Sequence, residues 1–431
     1  MSPLIQTLSD LVRINSVNSS YDDGPGEAEV AAYVRRFFEQ RGMEVSEQVV
    51  FPGRNNVLVR LPGRNPDRRL VLEAHMDTVS IKGMTIPPFE PAIAGGRLYG
   101  RGAVDDKAGL AMMMHAMAAI HESGKMPPCD VLLAAVVDEE FSFRGVVKLV
   151  ERLAPACSRS CAEETPSAAQ SSGHRQDAGM PPSQVPAGLE VEGHSTPRDD
   201  GSQSGPAVVA AIVAEPTEMR AVIASKGTLR WRIIVRGRAA HSAKPHLGIN
   251  AVSHMARIVL ELEKDHAALA AMPHPLLGPA TCNVGVIRGG VQVNFVPDEC
   301  HIEIDRRMLP GEPARDVLAH YQGIIEVLKK QHPNLDAVME PPMLVDEALE
   351  TSVDSGIVRA ARATLRGMGL DDTACGVPFC SDASKLSRAG IPTIIFGPGS
   401  IDRAHVADEY VEIDQVEQAF EFQRRLISTF E

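Results

Sequence analysis

Apolar and polar residues follow two periods along this chain. The opening MSPLIQTLSDLVRI puts Leu4, Ile5, Leu8, Leu11 and Val12 on one helical face, with Ser2 and Pro3 as cap and first-turn residue. A second helix is predicted over Gly26–Gln40, with Val30, Val34 and Phe37 or Phe38 as its inner stripe and Gly42 just beyond it. Strands are predicted at Glu47–Val50, Asn56–Leu61 and Arg69–His75. The third lies in RLVLEAHMDTVS, where an apolar run delivers His75 and Asp77. Two apart on an extended backbone, those side chains point the same way. A polar, Gly-rich segment, PAIAGGRLYGRGAVDDKAG, leads into a helix over Lys107–Glu122 that Gly124 stops. Val131–Val137 reads as a continuous apolar strand closing on Asp138, Glu139 and Glu140, and a helix follows over Phe143–Leu153. Strands alternating with helices predict an α/β layer around a largely parallel sheet. Ligands in such sheets sit beyond the carboxyl ends of the strands, where these acidic clusters fall.

Residues 154–206 break the pattern. They are rich in Ser, Pro, Gly, Ala and charge and are expected to form a disordered insertion. Its histidines, His174 and His194, read as solvated rather than as metal ligands with Cys157 and Cys161. The sheet resumes at Val208–Val213 and closes on Ala214-Glu215-Pro216-Thr217. From about Ala224 the order changes to strand Lys226–Val235, helix Asn250–Leu269, strands Thr281–Arg288 and Glu299–Arg306, helix Pro313–Lys330 and strand Leu335–Glu340. That βαββαβ order is the ferredoxin-like split motif. The expected organisation is a larger domain of residues 1–223 and 341–431 with a smaller domain of 224–340 inserted in it. The larger one is completed by helices Thr351–Gly367 and Asp382–Ala389, strand Thr393–Phe396 and a helix from Asp414.

A chain of 431 residues fits two domains better than one core. The net charge of −13 argues against nucleic acid or an anionic membrane as the main partner. Seven scattered cysteines (129, 157, 161, 282, 300, 375 and 380) form no Cys-x-x-Cys pair, which points to a reducing cytoplasm rather than a disulfide framework. The amino terminus does not read as a signal peptide, and no uncharged run is long enough to span a bilayer.

Five residues stand where metal ligands would be expected: His75, Asp105, Glu140, Glu215 and His405. Each has an ordinary reading. His75 and Asp77 can be a polar pair on a strand, and Asp105 can belong to an acidic first turn at a helix start. Glu139 and Glu140 can be a charged turn. As neighbours they face opposite ways if their strand continues, or share a cleft if it ends. His405, in GPGSIDRAHVADEY, can be a surface loop residue. Together, carboxylates with one histidine per metal fit two zinc ions bridged by a shared aspartate. Such a pair acidifies a water and polarises a carbonyl. A neighbouring carboxylate can then move the proton to a leaving amine, which is amide hydrolysis.

The ordered motifs HMDTV, GRGAVDDKAG, VVDEE, AEPT, RGRAAHSAKPHLGINAV and GPGSIDRAHVADEY resemble the co-catalytic zinc metallopeptidases. That family includes acetylornithine deacetylase, succinyl-diaminopimelate desuccinylase, the aminoacylases and the glutamate carboxypeptidases. The resemblance covers the chain apart from the insertion. It implies a catalytic α/β domain with a mixed, largely parallel sheet and an inserted ferredoxin-like lid and dimerisation domain. It implies one zinc on His75, Asp105 and Glu215 and another on Asp105, Glu140 and His405, with cobalt able to substitute. It also implies that Asp77 orients His75, that Glu139 is general base and then acid, and that the Asp105–Asp106 peptide is cis. His241 would reach a partner subunit's site in a homodimer and stabilise the oxyanion there. Asn294 and Arg307, with Arg306 as a neighbouring candidate, would bind the substrate's carboxylate, and the Gly397 and Gly399 backbone would add donors. Glu140 and Glu215 are 75 positions apart, more than the family's usual spacing, and the insertion accounts for the surplus.

The activity expected is hydrolysis of an N-acyl amino acid, most like acetylornithine deacetylase. The alternatives are a desuccinylase or a dipeptidase or carboxypeptidase of the same family. A non-catalytic metal-binding scaffold is disfavoured because both Glu139 and His241 are present. A nucleotide site at Gly100-Arg101-Gly102 is excluded by the aspartates that follow and the missing third glycine. His115, His121, His254, His266 and His320 are expected to be structural or surface residues, and Met112–Met114 core packing.

Overall fold

The computed structural model describes residues 1–22, 24–153 and 205–431. The expected insertion, with Cys157, Cys161, His174 and His194, lies outside the described residues except for its last two positions.

Apolar strands assemble a nine-stranded sheet. Its order is Glu44–Phe51, Arg54–Leu61, Cys129–Val136, Asn65–His75, Ala207–Val213, Thr393–Ile395, Val222–Ser225 and Leu349–Glu350, with Cys375–Val377 also beside Val222–Ser225. The middle four run parallel, and antiparallel strands flank them. Strand Asn65–His75 is covered on both sides. Leu70, Leu72 and Ala74 enter one core with helices Pro3–Arg13, Ala28–Glu39, Lys107–Glu122, Gly356–Gly367 and Ile413–Thr429. Val71 enters another with helices Arg144–Leu153 and Ala383–Arg388. Burial on both faces is why this strand and Cys129–Val136 read as unbroken apolar runs. Helix Lys107–Glu122 is buried nearly all round, and Met112, Met113 and Met114 are fully enclosed in the first core.

A second, five-stranded sheet is antiparallel throughout, ordered Thr281–Gly289, Glu299–Met308, Gly227–Arg236 and Asp336–Met339, with Leu344–Asp346 also against Gly227–Arg236. Strict alternation puts Leu229, Trp231, Ile233 and Val235 inside, facing helices Ala251–Leu269 and Ala314–Gln331. Asn250 caps the first of these by accepting the Ser253 N–H at 2.9 Å. This sheet has its own apolar core.

The chain changes sheets at slightly different points from those expected at 223/224 and 340/341. Val222–Ser225 is still a strand of the large sheet, and Gly227 opens the small one. On the way back Leu344–Asp346 pairs with Thr228–Arg230, and only Leu349 rejoins Ser225. The crossing strands run so close that a Cβ on Gly227 would lie 2.6 Å from the Asp346 carbonyl oxygen. The helix expected from Thr351 begins at Gly356. Ser355 caps it, while the Thr351 N–H still bonds Ile223 at 2.8 Å as an extension of the sheet. The Gly-rich segment contains strands Ala92–Ala94 and Arg97–Tyr99, joined by Tyr410–Glu412. Strands of three residues are too short to show a period. Among the described residues no helix is long and apolar enough to cross a membrane.

Trp231 is the only tryptophan of the chain and is fully buried in the small-sheet core, so its emission reports that core alone. Ile302 is fully buried in the same core. Ile302→Ala should lower the stability read from Trp231 emission in urea by about 2–5 kcal/mol. An unchanged midpoint would show that this core does not hold the small sheet together.

Candidate metal centre

Register brings the acidic strand ends together. His75 pairs with Val136, and Val213 with both Glu73 and Ile395, so four parallel strands finish side by side. Strand Cys129–Val136 stops before its acidic cluster because Asp138 turns the chain with φ of +70°. Glu139 and Glu140 therefore share a cleft rather than opposite faces. Their N–H groups both donate to the Asp77 carboxylate, at 3.1 and 3.0 Å. Asn18 donates to the same carboxylate at 2.8 Å and to Asp138 at 3.1 Å. Arg54 holds Asp138 from behind at 3.1 Å while paired with Glu27 at 2.6 Å. The His75 Nδ1 lies 3.0 Å from the Asp77 carbonyl oxygen and 3.6 Å from its carboxylate. Asp77 thus braces the Glu139–Glu140 turn as well as His75.

Asp105 precedes helix Lys107–Glu122, and the Asp105–Asp106 peptide is cis, as the resemblance implies. Its Oδ1 lies 2.9 Å from His75 Nε2 and its Oδ2 3.1 Å from His405 Nε2. His405 is also 3.3 Å from Glu140. It sits in a left-handed turn with φ of +58°, half exposed toward solvent. The candidate ligand atoms of His75, Asp105 and Glu140 all lie within 4.8 Å of one another. Glu215 is buried and close enough for its carboxyl to be repelled by Asp105 and Glu139. The structure therefore brings His75, Asp105, Glu140 and His405 together, with Glu215 and Glu139 buried and in electrostatic reach of Asp105.

The electrostatics show an excess of negative charge. Burial, and then repulsion from Asp382, Glu140 and Asp105, pushes the Glu139 carboxyl well above its ordinary range despite His75. Burial and Asp105 raise Glu140, and burial with Asp105 and Glu139 raises Glu215. Burial would by itself neutralise Asp105, but the bonds from His405 and His75 hold it well below the usual carboxylate range. Burial likewise opposes charge on His405, yet Asp105 and Glu140 drive it up to about 11. His75 rises well above its ordinary value for the same reason, through Asp105 and Asp77. Glu73, Asp106 and Asp382 add three buried carboxyls whose oxygens have no hydrogen-bond partner. Carboxylates and imidazoles so placed suit a divalent cation of the zinc type. Ligand atoms on one tetrahedral zinc stand about 3.3 Å apart, close to the His75–Asp105 and His405–Glu140 spacings.

Other expected site residues lie elsewhere. His241 is exposed on a two-stranded ribbon, Ala240–His241 with Phe295–Val296, and its Nδ1 accepts the Ala243 N–H at 3.1 Å. Asn294 is on the same ribbon, its carbonyl accepting the Ser242 N–H at 3.0 Å. Neither bonds to the acidic cluster. Strand alternation separates the two arginines. Arg306 points inward, is 2% exposed and pairs with Glu312 at 2.7 Å. Arg307 faces outward, bonded to Asp305 and Thr228, each at 2.8 Å. The expectation for Gly397 and Gly399 is corrected. The Gly397 N–H is taken by Thr217 Oγ1 at 3.0 Å and the Gly399 N–H by Gln415 Oε1 at 2.7 Å, so neither is a free donor. Sequence reasoning missed Asn18, Arg54, Arg101 and Glu409. Only Arg101 and Glu409 lie inside a recognisable motif, and nothing local marks their contacts.

Residues 71–429 match peptidase family M20/M25/M40, and the chain belongs to that family. It is thus a hydrolase of a family whose members are metal-dependent peptidases. It is 29% identical to "Acetylornithine deacetylase" of Myxococcus xanthus over 352 residues, 80% of this chain and 76% of the relative. It is 27% identical to "Probable carboxypeptidase" of Aspergillus terreus over 449 residues, 99% of this chain and 86% of the relative. Its fold is similar to the crystal structure of aminopeptidase PepT from Bacillus cereus, with a TM-score of 0.72 and 20% identity over 99% of this chain and 97% of the other.

Their acidic partners raise both histidines above the ordinary imidazole value, His405 to about 11, and so favour the protonated form in the metal-free protein. Their ion pairs stabilise that form below the ordinary histidine value of about 6.5, and this is lost as pH rises through the raised values, about 11 for His405. A cation must expel these protons. Zinc titrations in buffers of different ionisation enthalpy should therefore show proton release at pH 7, and affinity should increase with pH. Binding without proton release would contradict this charge assignment.

Proposed function

We propose that the protein hydrolyses the amide bond of an N-acyl amino acid, as a metal-dependent deacylase most like acetylornithine deacetylase. The observation that carries this reading is that the two oxygens of Asp105 face different histidines, 2.9 Å from His75 and 3.1 Å from His405. A carboxylate so placed between two histidines would suit sharing by two cations. In this reading His75, Asp105 and Glu215 hold one zinc, and Asp105, Glu140 and His405 hold the other, with cobalt able to replace them. Bound there, the ions would supply Lewis-acid polarisation of the carbonyl and acidification of a water.

The chain's own residues do the rest. Glu139 is 9% exposed, and its carboxyl has no hydrogen-bond or ion-pair partner among the described residues. Its raised proton affinity suits it to take a proton from water and return it to the leaving amine. Asp77 fixes the Glu139 backbone and the His75 ring. Arg307, on the outward face of its strand, and Asn294 bind the substrate's carboxylate, which would replace Asp305 as the partner of the arginine's paired N–H donors. His241 acts on a partner subunit's site in a homodimer, donating to the developing oxyanion. Its exposure and its lack of contact with its own cluster support that role. The small domain is accordingly the lid and dimerisation domain. The free cysteines 129, 282, 300, 375 and 380 are compatible with a reducing cytoplasm.

The carboxypeptidase name of the Aspergillus terreus relative favours a second reading, in which the same machinery cuts short peptides. One assay separates the two. The zinc-loaded protein is given N-acetylated amino acids including N-acetylornithine, N-succinyl-diaminopimelate and dipeptides, and amine release is measured beside Glu139→Ala. The deacylase reading expects acetylated amino acids to be turned over, with a loss of about 10²–10⁴-fold in the variant at unchanged zinc content. Turnover of dipeptides alone moves the protein to the peptidase reading. Full activity in Glu139→Ala would remove Glu139 as the base.

A further inference from the structure

Three chain segments that bring ligands to the candidate centre meet at one buried ion pair outside it. Arg101 and Glu409 are bonded at 2.5 Å, with side chains 3% and 1% exposed. Arg101 also donates to the carbonyl of Ser80, on the segment that follows His75 and Asp77, at 3.1 Å. The other oxygen of Glu409 accepts the N–H of Val104 at 3.0 Å and, more weakly, that of Asp105 itself at 3.4 Å. The Glu409 carbonyl accepts the Gly100 N–H at 3.1 Å. Glu409 lies on the same loop as His405. One carboxylate thus ties the backbone of Asp105 to the loop of His405, and its arginine partner ties both to the segment of His75.

A buried ion pair is a poor device for stability alone. Removing two charges from water offsets most of their attraction, and apolar residues of similar volume often do as well. Arg101 even leaves its Nε without a partner. What apolar residues could not do is accept the Val104 and Asp105 N–H groups, which the turn before helix Lys107–Glu122 leaves without carbonyl acceptors. Those two bonds fix the direction in which Asp105 leaves the backbone.

We infer that Glu409, with Arg101, is a positioning residue for the metal centre: it sets the aim of the Asp105 carboxylate toward His405 and so determines how tightly cations are held. The inference rests on the metal-centred reading proposed above. Its test is zinc binding by the full-length metal-free protein, followed calorimetrically, with thermal melting of the metal-free form as the fold control. Two variants are used. Glu409→Gln keeps the shape but loses the charge. Arg101→Met/Glu409→Leu removes both charges, so no buried ion is left unpaired.

The double variant is expected to fold cooperatively without metal, melting below the wild type because the Val104 and Asp105 N–H groups lose their acceptor, and to bind zinc at least tenfold more weakly. Glu409→Gln keeps an oxygen for the Val104 and Asp105 N–H groups but loses the Arg101 ion pair, so it should weaken binding less than the double variant. In both, kcat should be low at limiting zinc and recover at saturating zinc with KM unchanged, which a merely structural residue would not produce. If the folded double variant binds zinc within twofold of the wild type, Glu409 has no positioning role and the inference falls while the proposed function stands. If the wild-type protein itself takes up no zinc, the proposed function fails and this inference with it.

Discussion

The organising constraint in this protein is the crowding of buried carboxyls around His75. Asp105, Glu139, Glu140 and Glu215 converge there, and Glu73, Asp106 and Asp382 stand behind them in the same low-dielectric interior. Burial raises the proton affinity of most of these groups, and each raises its neighbours' further. Asp77 and Asp105 are instead shifted toward the ionised form, by histidine and hydrogen-bond donors. A fold that buries so many carboxyls together must be rigid enough to resist their dispersal. That rigidity comes from four parallel strands ending in register and from a scaffold of hydrogen bonds to carboxylates that do not themselves face the centre.

Two carboxylates do most of this bracing. Asp77 accepts the N–H groups of Glu139 and Glu140 and the Asn18 amide, joining the ends of two strands. Glu409 accepts from Val104, Asp105 and Arg101, joining two loops. Backbone N–H groups are the natural partners here, because they offer partial positive charge without adding a mobile cation that would compete for the ligands. The acidic cluster lies at the strand ends of the large sheet, while His241 and Asn294 lie at a separate two-stranded ribbon and Arg307 on the outer face of the small sheet, whose own core surrounds Trp231.

Much of this was legible in the sequence. Strand Asn65–His75 announces itself because both faces are buried, and helix Lys107–Glu122 has the predicted ends because Gly124 and the acidic turn bound it. The five candidate ligands could be named because each follows an apolar run or lies in a motif with fixed order. What could not be read was lateral. The Arg101–Glu409 pair spans 308 residues of sequence, and no local pattern links its halves. Three-residue strands such as Arg97–Tyr99 carry no period. Which of Arg306 and Arg307 faces outward depends on the phase of the strand, which the burial of Ile302, Ile304 and Met308 supplies. The Gly397 and Gly399 N–H groups looked available only because Thr217 and Gln415, which occupy them, are remote in sequence.

The proposed sharing of Asp105 between two cations is decided by elemental analysis of zinc in the protein and in two variants, after dialysis against a fixed zinc concentration. Two zinc ions per wild-type chain, loss of both in Asp105→Asn and loss of one in His405→Ala are expected. A single zinc in the wild type, or an Asp105→Asn chain that keeps its full complement, would overturn the sharing.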